Sequence, residues 1–289
     1  MYRPGSFAKI SMKKTTNRIF FWQKSVEIYR QVFLLLKKDP TLLMLFVITG
    51  IIDLLALVFL FLAPFPPVSY ILAPIIRTFW SDAFLHYPQN FVLLPKLYND
   101  AHLFIATTAG IFISGLVIKK VEGEMREEKR VTLVEAAREV FKRYFSLLLA
   151  WLASYGLFIL ATKFLVVHVP PHVGLRLAAT FILGVTCQSL AAFWIPAFLL
   201  LDKGFFAKLF TGMRYGVKYF IPTSILIAVP IALVMVLTFF RWLTPHYLDF
   251  YPELILWVLV AGCGVMAFVD MWVTLSTTLL FLEVQKERG

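Results

Sequence analysis

Two carboxylates lie where carboxylates are costly. Asp53 falls in the apolar run Thr41–Leu62 and Asp270 in the apolar run Glu253–Leu282. An ionised side chain at the middle of a bilayer costs about 2.5–3.5 kcal/mol on insertion scales, so such a group is expected to face a helix bundle's interior or a wet cavity. The chemistry they offer is the holding of an ion, a proton or a polar solute. The plainer alternative is a hydrogen bond between helices, with the acid kept protonated by desolvation. Thr49, Thr274, Ser276 and Thr277 lie on the same two runs as partners, and Gln188 marks a polar belt, Thr186–Ser189, in another run. The expected intramembrane polar site is therefore Asp53, Asp270, Gln188 and Thr274.

The elements that must position these groups follow from composition. Of 289 residues 60% are hydrophobic and 16% charged, with a mean hydropathy of +0.80. A soluble domain carries about 25% charged residues, and a disordered chain would lack the 29 Phe. The chain is expected to be all-α and to cross a membrane many times. A span needs about 20 apolar residues. Six windows qualify: Thr41–Leu62, His102–Ile118, Tyr144–Val167, Leu175–Leu201, Tyr219–Phe240 and Glu253–Leu282.

Basic residues set the orientation. The lead, the 119–143 and 202–218 connections and the tail hold 23 Lys and Arg, against Arg77, Lys96 and Arg241 in the three opposite connections. Positive charge collects on the cytoplasmic side, which puts both termini there. Tyr70, Trp80, Tyr87, Tyr98, Trp242, Tyr247 and Tyr251 cluster in the outer connections as interfacial anchors. Residues 1–39 form a basic lead without a short apolar core and cleavage site, so the first span is expected to act as an uncleaved targeting signal. The net charge of +11 is read as topology and attraction to anionic lipid, not nucleic acid.

A basic amphipathic segment precedes each pair of spans. The first carries Ile19, Trp22, Val26, Tyr29, Phe33 and Leu36 at helical spacing, the second Leu133, Ala137, Val140 and Tyr144, the third Phe206, Leu209, Phe210, Met213 and Val217. Thr132 and Glu135 form a capping box for the second. Helices of this pattern lie in the interface plane. The expectation is a single membrane domain, 1–289, built of three units, each an elbow helix followed by a transmembrane hairpin. Residues 1–39 are the lead and first elbow, 40–118 the first hairpin with its outer loop 63–101, 119–201 the second elbow and hairpin, and 202–289 the third with a short tail. Lys24, Arg30, Arg138, Lys142, Lys208, Arg214 and Lys218 on the elbows are the expected contacts to anionic head groups.

The stretches FWIPAFLLLDKGFFAK at Phe193–Lys208 and MRYGVKYF at Met213–Phe220 resemble a recurring block of bacterial inner-membrane proteins. VEGE at Val121–Glu124 and LVEAAREVFKRYF at Leu133–Phe145 are similar to the other half of that pattern. These are the six-helix proteins related to the membrane domain of glycerophosphoryl diester phosphodiesterases. The resemblance covers roughly 100–240 and implies a six-helix domain of the bacterial inner membrane with no established activity. The catalytic domain of some relatives is absent from this sequence, so no catalytic residue carries over.

Other candidates are weaker. His86, His102, His168, His172 and His246 all fall on the outer side of the expected spans, near Asp82, Asp100, Asp249 and Glu253, but no spacing matches a metal motif, and neither a metal nor another cofactor is expected. Cys187 and Cys263 read as small core residues. Lys163 and Arg176 snorkel outward, and Glu122–Arg130 reads as a solvated connection. Pro196 and Pro230 predict kinks. The outer loop is rich in Pro and aromatics, and Tyr70, Ile75, Phe79 and Trp80 are its expected partner surface. No nucleophile, base and orienting group can be assembled, so no enzyme is expected. The function expected is a non-enzymatic protein that handles lipids or transports a small solute or ion through a polar bundle interior. The alternative is an accessory or scaffold subunit that meets a membrane-protein partner, or a second copy, through 63–101.

Overall fold

The computed structural model describes residues 17–126, 131–170, 172–243 and 253–287. Among them the chain is all helical. α1 (Asn17–Lys38) turns into α2 (Thr41–Phe61), followed by α3 (Ser69–Phe79), a short 3₁₀ turn at Asp82–Leu85, α4 (Gln89–Ile105), a π-helical turn at Ala106–Gly110 and α5 (Ile111–Met125). Then come α6 (Leu133–His168), α7 (Val173–Ala191), α8 (Trp194–Leu200), α9 (Phe205–Lys218), α10 (Phe220–Leu243) and α11 (Leu254–Lys286). Six stretches are long and apolar enough to cross a membrane: Thr41–Phe61, Gln89–Met125, Leu133–Leu165, Gly174–Leu200, Phe220–Phe240 and Leu254–Lys286. The six expected windows are found, with two large changes. The second span begins at Gln89 rather than His102, because the helix continues upstream through the expected outer loop, and the third begins at Leu133 rather than Tyr144.

Lys24 on α1 bonds Glu287 just past α11 at 2.9 Å, so both ends of the described chain lie on one face, called here the terminal face; the opposite one is the distal face. The core sits toward the terminal face. α11 is its axis, with Leu275, Leu279, Leu280 and Phe281 at most 1% exposed. Ile28 and Val32 of α1, Leu42 of α2, Val117 and Val121 of α5, Val140 and Leu147 of α6, Phe193 and Phe198 complete the same cluster. The buried hydroxyls of Thr277 and Thr278 donate to carbonyls one turn back within α11, which satisfies them without a partner helix.

Two of the three expected elbows are separate helices. α1 stops at Lys38 because Pro40 follows, and proline favours a helix start and disfavours a helix interior. α9 stops at Tyr219, and Pro222 sits in the first turn of α10. The second expected elbow is no separate element. Thr132 caps a helix through the predicted box with Glu135, but that helix then runs 36 residues without a break. No proline, and no glycine before Gly156, interrupts it. At 1.5 Å per residue it spans about 54 Å, far more than the roughly 30 Å of hydrocarbon.

α9 lies on the bundle by its glycine face, and its apolar stripe points outward. A Cβ on Gly216 would lie 2.3 Å from the Leu190 carbonyl oxygen, and one on Gly212 would lie 2.8 Å from the Trp194 ring. This small-xxx-small spacing lets the helix close on the bend between α7 and α8. Phe206, Phe210, Met213 and Val217 remain exposed, as an interfacial helix requires. The bend itself is finished by charge. Arg143 donates to the Leu199 and Leu201 carbonyls and to Asp202, and Lys208 donates to the Phe198 carbonyl. These cations serve the free carbonyls at the α8 C-terminus.

The terminal face is also locked by ion pairs. Lys120 meets Asp39 at 2.6 Å, Lys119 meets Glu122 at 2.7 Å and Glu139 at 2.6 Å, and Lys38 pairs with Glu124. Glu122 and Glu124 are each 13% exposed, so this part of Glu122–Arg130 is built into the fold rather than solvated; residues 127–130 of that stretch lie outside the described ones. Burial alone would raise the Asp39 carboxyl, but the Lys120 bond, the Thr41 bonds and the Lys120 charge outweigh it and hold Asp39 below the usual carboxylate range.

Gly216→Ala is expected to destabilise the protein by about 1–3 kcal/mol, as overpacking does, read as a lower thermal unfolding midpoint in detergent. An unchanged midpoint would mean that α9 does not close on the bend. The depressed Asp39 value supplies stability at neutral pH that is lost as the pH falls below about 4 and through the folded value. Asp39→Asn is therefore expected to lower the midpoint at pH ~7 and to flatten its fall toward pH ~3; parallel profiles for the two proteins would remove Asp39 from the acid response.

Candidate polar site in the middle of the bundle

α2 presents Leu42, Leu45, Phe46, Thr49, Asp53 and Leu57 to the bundle at spacings of three and four. Asp53 is thus carried inward by the same periodicity that carries the leucines, and it is 2% exposed. Its Oδ1 meets Nδ1 of His102 at 3.0 Å. His102 belongs to α4, in the extended second span, and is 18% exposed in its side chain. A ring N–H donated to the carboxylate compensates a charge that hydrocarbon would otherwise leave unpaired. One turn earlier, the Tyr98 hydroxyl lies 3.1 Å from Sγ of Cys263 on α11, and the Tyr98 and His102 rings are 6.0 Å apart. Three helices, α2, α4 and α11, are therefore tied at mid-span by polar side chains.

Just beyond His102 the helix widens into its π turn. Such a turn inserts one residue, breaks the regular bonding and recurs at functional sites. Here Tyr144 of α6 donates to the Thr107 and Thr108 carbonyls at 3.3 and 3.4 Å. None of Ala106–Gly110 is buried.

Asp270 follows on α11. Leu259, Cys263, Asp270 and Thr277 recur at helical spacing on one inward face, and Leu259, Cys263 and Thr277 are buried. Asp270 is exposed. It lies one turn past Ala267, where α11 crosses α2 so closely that a Cβ on Gly50 would sit 3.2 Å from that of Ala267. Toward the distal face lies a dry cluster of Leu57, Leu94, Tyr98, Ile255, Leu259 and Cys263. Toward the terminal face lies the main core, with Phe46, Ile111 and Leu275. Between them the π turn, Met266, Val273 and Thr274 are all half-buried. Asp270 is thus an exposed carboxylate on the inward face of a mid-span helix, at a less tightly packed level between two dry clusters, and this level is called here the crevice.

The sequence-based expectation thus meets the structure unevenly. Asp53 is joined to His102, and Asp270 lies on α11 on the other side of the Gly50–Ala267 crossing, with Thr274 a turn beyond it. Gln188 does not join them: it is exposed on α7, which packs on α6, α10 and α9. His102 is misplaced by an outer-side assignment, and Tyr98, Cys263 and Tyr144 are additional members. Among the expected lipid contacts, Lys24 is 7% exposed and spent on Glu287, with its ammonium over the Tyr219 ring. Lys208 is spent on the α8 terminus, and burial pushes its ammonium below the usual lysine range. Arg30, Arg138, Lys142, Arg214 and Lys218 stay exposed. On α3 the expected partner surface is half realised: Tyr70, Ile75 and Phe79 are exposed, whereas Trp80 is half-buried and donates its indole N–H to Asp100 at 2.9 Å. His246, Asp249, Tyr247 and Tyr251 lie outside the described residues. Among the described ones no three His, Cys, Asp or Glu side chains converge as a metal site. Comparison with known families, characterised proteins and solved structures finds no match to this chain.

A crevice that admits water makes a labelling prediction. In a background with Cys187 and Cys263 replaced by Ala, a cysteine at position 270 is expected to react with a membrane-impermeant thiol reagent, and one at Leu259 is expected to stay unlabelled. Equal protection at both positions would close the crevice.

Proposed function

We propose that this protein is a non-enzymatic transporter that moves a small polar solute or ion through the crevice at Asp270. The observation that carries the reading is a carboxylate on the inward face of a mid-span helix that is nevertheless open, beside a buried Asp53–His102 pair. A group kept only to join helices would be expected to be closed over by its partners, as Asp53 is. The half-buried π turn and Thr274 supply the backbone and hydroxyl groups that a solute would meet at the level of Asp270. The exposed Arg30, Arg138, Lys142, Arg214 and Lys218 suit anionic head groups, and this basic face is read as cytoplasmic by the positive-inside rule. That orientation, and the resemblance of Phe193–Phe220 to a block of bacterial inner-membrane proteins, support a place in a bacterial inner membrane.

The test uses proteoliposomes loaded with a small-molecule extract of the producing cells, with mass spectrometry of what leaves. The native chain is expected to release a defined solute, and Asp53→Asn and Asp270→Asn are each expected to slow that release at least tenfold while keeping the native elution profile. Release that is equal in all three would take the site out of the mechanism. A chain that releases nothing and holds a stoichiometric protein partner after gentle purification would instead be a subunit, docked through the exposed face of α3.

A further inference from the structure

We propose that the species this site binds and releases is a proton, exchanged between Asp270 and His102, rather than an alkali or alkaline-earth cation. The assignment rests on the transport reading of the crevice and specifies its chemistry.

Ligand geometry argues first. An alkali or alkaline-earth ion takes a shell of oxygen ligands. Oδ1 of Asp53 is instead engaged by the His102 ring at 3.0 Å, and an imidazole is no ligand for such an ion. What the pair does accommodate is a proton. With Asp53 ionised and His102 neutral, one added proton makes an imidazolium facing a carboxylate across the same hydrogen bond, so the buried charge keeps its partner. Imidazole is the side chain whose ordinary titration lies nearest neutrality.

Access argues second. Asp53 is 2% exposed and sits behind the histidine. Asp270 is the exposed member. The order that follows has three steps. A proton from water in the crevice adds to a carboxylate oxygen of Asp270. Water in the crevice takes that proton from Asp270, which is ionised again, and hands a proton on to the free ring nitrogen of His102. It leaves when His102 gives it up, and Asp53 holds the ring throughout. Asp53 is in this sense a positioning residue.

The surroundings leave few rivals. The titratable groups facing the pair and Asp270 are Tyr98 from α4 and Cys263 from α11, which bond each other. Tyr144 from α6 is spent on the π turn, and that turn brings only Thr107 and Thr108. The membrane-spanning part of α10, Phe220–Phe240, holds no charged residue. Tyr29 of α1 packs on Trp272 of α11 and is spent on the Ile225 and Leu226 carbonyls; the lysines of α5 lie toward the terminal face. Along α11 the next charges are Glu253 and Glu283, roughly 26 and 20 Å away by helix rise.

The test is infrared difference spectroscopy of the full chain in phosphatidylethanolamine–phosphatidylglycerol vesicles, titrated from about pH 8 to about pH 5 across the imidazole range. The expected result is a gain of a protonated-carboxyl band together with an imidazolium band. Asp270→Asn should remove the first and move the midpoint of the second at least several-fold in proton concentration. His102→Asn should remove the second, and Asp270→Glu should restore a shifted carboxyl band, which separates loss of the proton from loss of the fold. Bands that are absent across the range, or unchanged in both Asn variants, overturn the proposal. So does sodium binding at fixed pH that Asp270→Asn abolishes. The two readings fail differently. Solute release that stops in Asp270→Asn with no titrating band keeps transport and removes the proton. Titrating bands with unaltered release keep the proton site and remove transport.

Discussion

The last helix has to satisfy two incompatible demands, and the rest of the bundle is arranged around that. α11 runs from the distal to the terminal face, and its final turns are sealed on every side, with Leu275 through Leu282 at most 7% exposed. Its middle carries a carboxylate, which a sealed environment holds only with a partner, as Asp53 is held by His102. The solution is a change of packing along one helix. Close contact with α2 at Gly50 and Ala267, then an opening at Asp270, then the dry core. Where α11 opens, α4 and α5 are joined by a π turn instead of a straight helix, and where it closes, α1, α5 and α8 surround it.

The terminal face shows how helices of such different lengths are held in register. Free carbonyls where α8 ends are served by Arg143 and Lys208. The Lys38–Glu124 and Lys120–Asp39 pairs fasten the turn between α1 and α2 to α5, and Lys119 fastens α5 to α6. Many of the basic residues that set the positive charge of this face are thus also structural. That is why the 28 Lys and Arg overstate the cations free to meet lipid: Lys24, Lys208 and Arg143 are each spent inside the fold.

Much of the fold was legible in the sequence, because hydropathy over about 20 residues and the placement of lysine and arginine are strong signals in a membrane protein. Asp53 and Asp270 were legible for the same reason, since charge in an apolar run is rare. His102 was not. It stood at the edge of an apolar window that stopped where Asp100 and Asn99 intervene, although Phe91, Leu94, Leu97, Tyr98 and Ile105 continue the helical spacing across them. A window of 17 residues is itself at the short limit for a span, and that shortfall was the available signal. The continuity of α6 was also readable from the lack of proline between 133 and 168. The partner of Lys24 and the placement of Gln188 away from the carboxylates were not, because they depend on which helices become neighbours, and spacing within one helix carries no information about that.

The seating of α9 reaches beyond stability. Its glycines fix it to the bend between α7 and α8, and its phenylalanines are turned outward. The two faces of one short helix are therefore coupled: with backbone set directly on backbone at Gly216, no flexible side chain lies between α9 and the bend to absorb a shift, so anything that moved the outward Phe206 and Phe210 would move the bend with them.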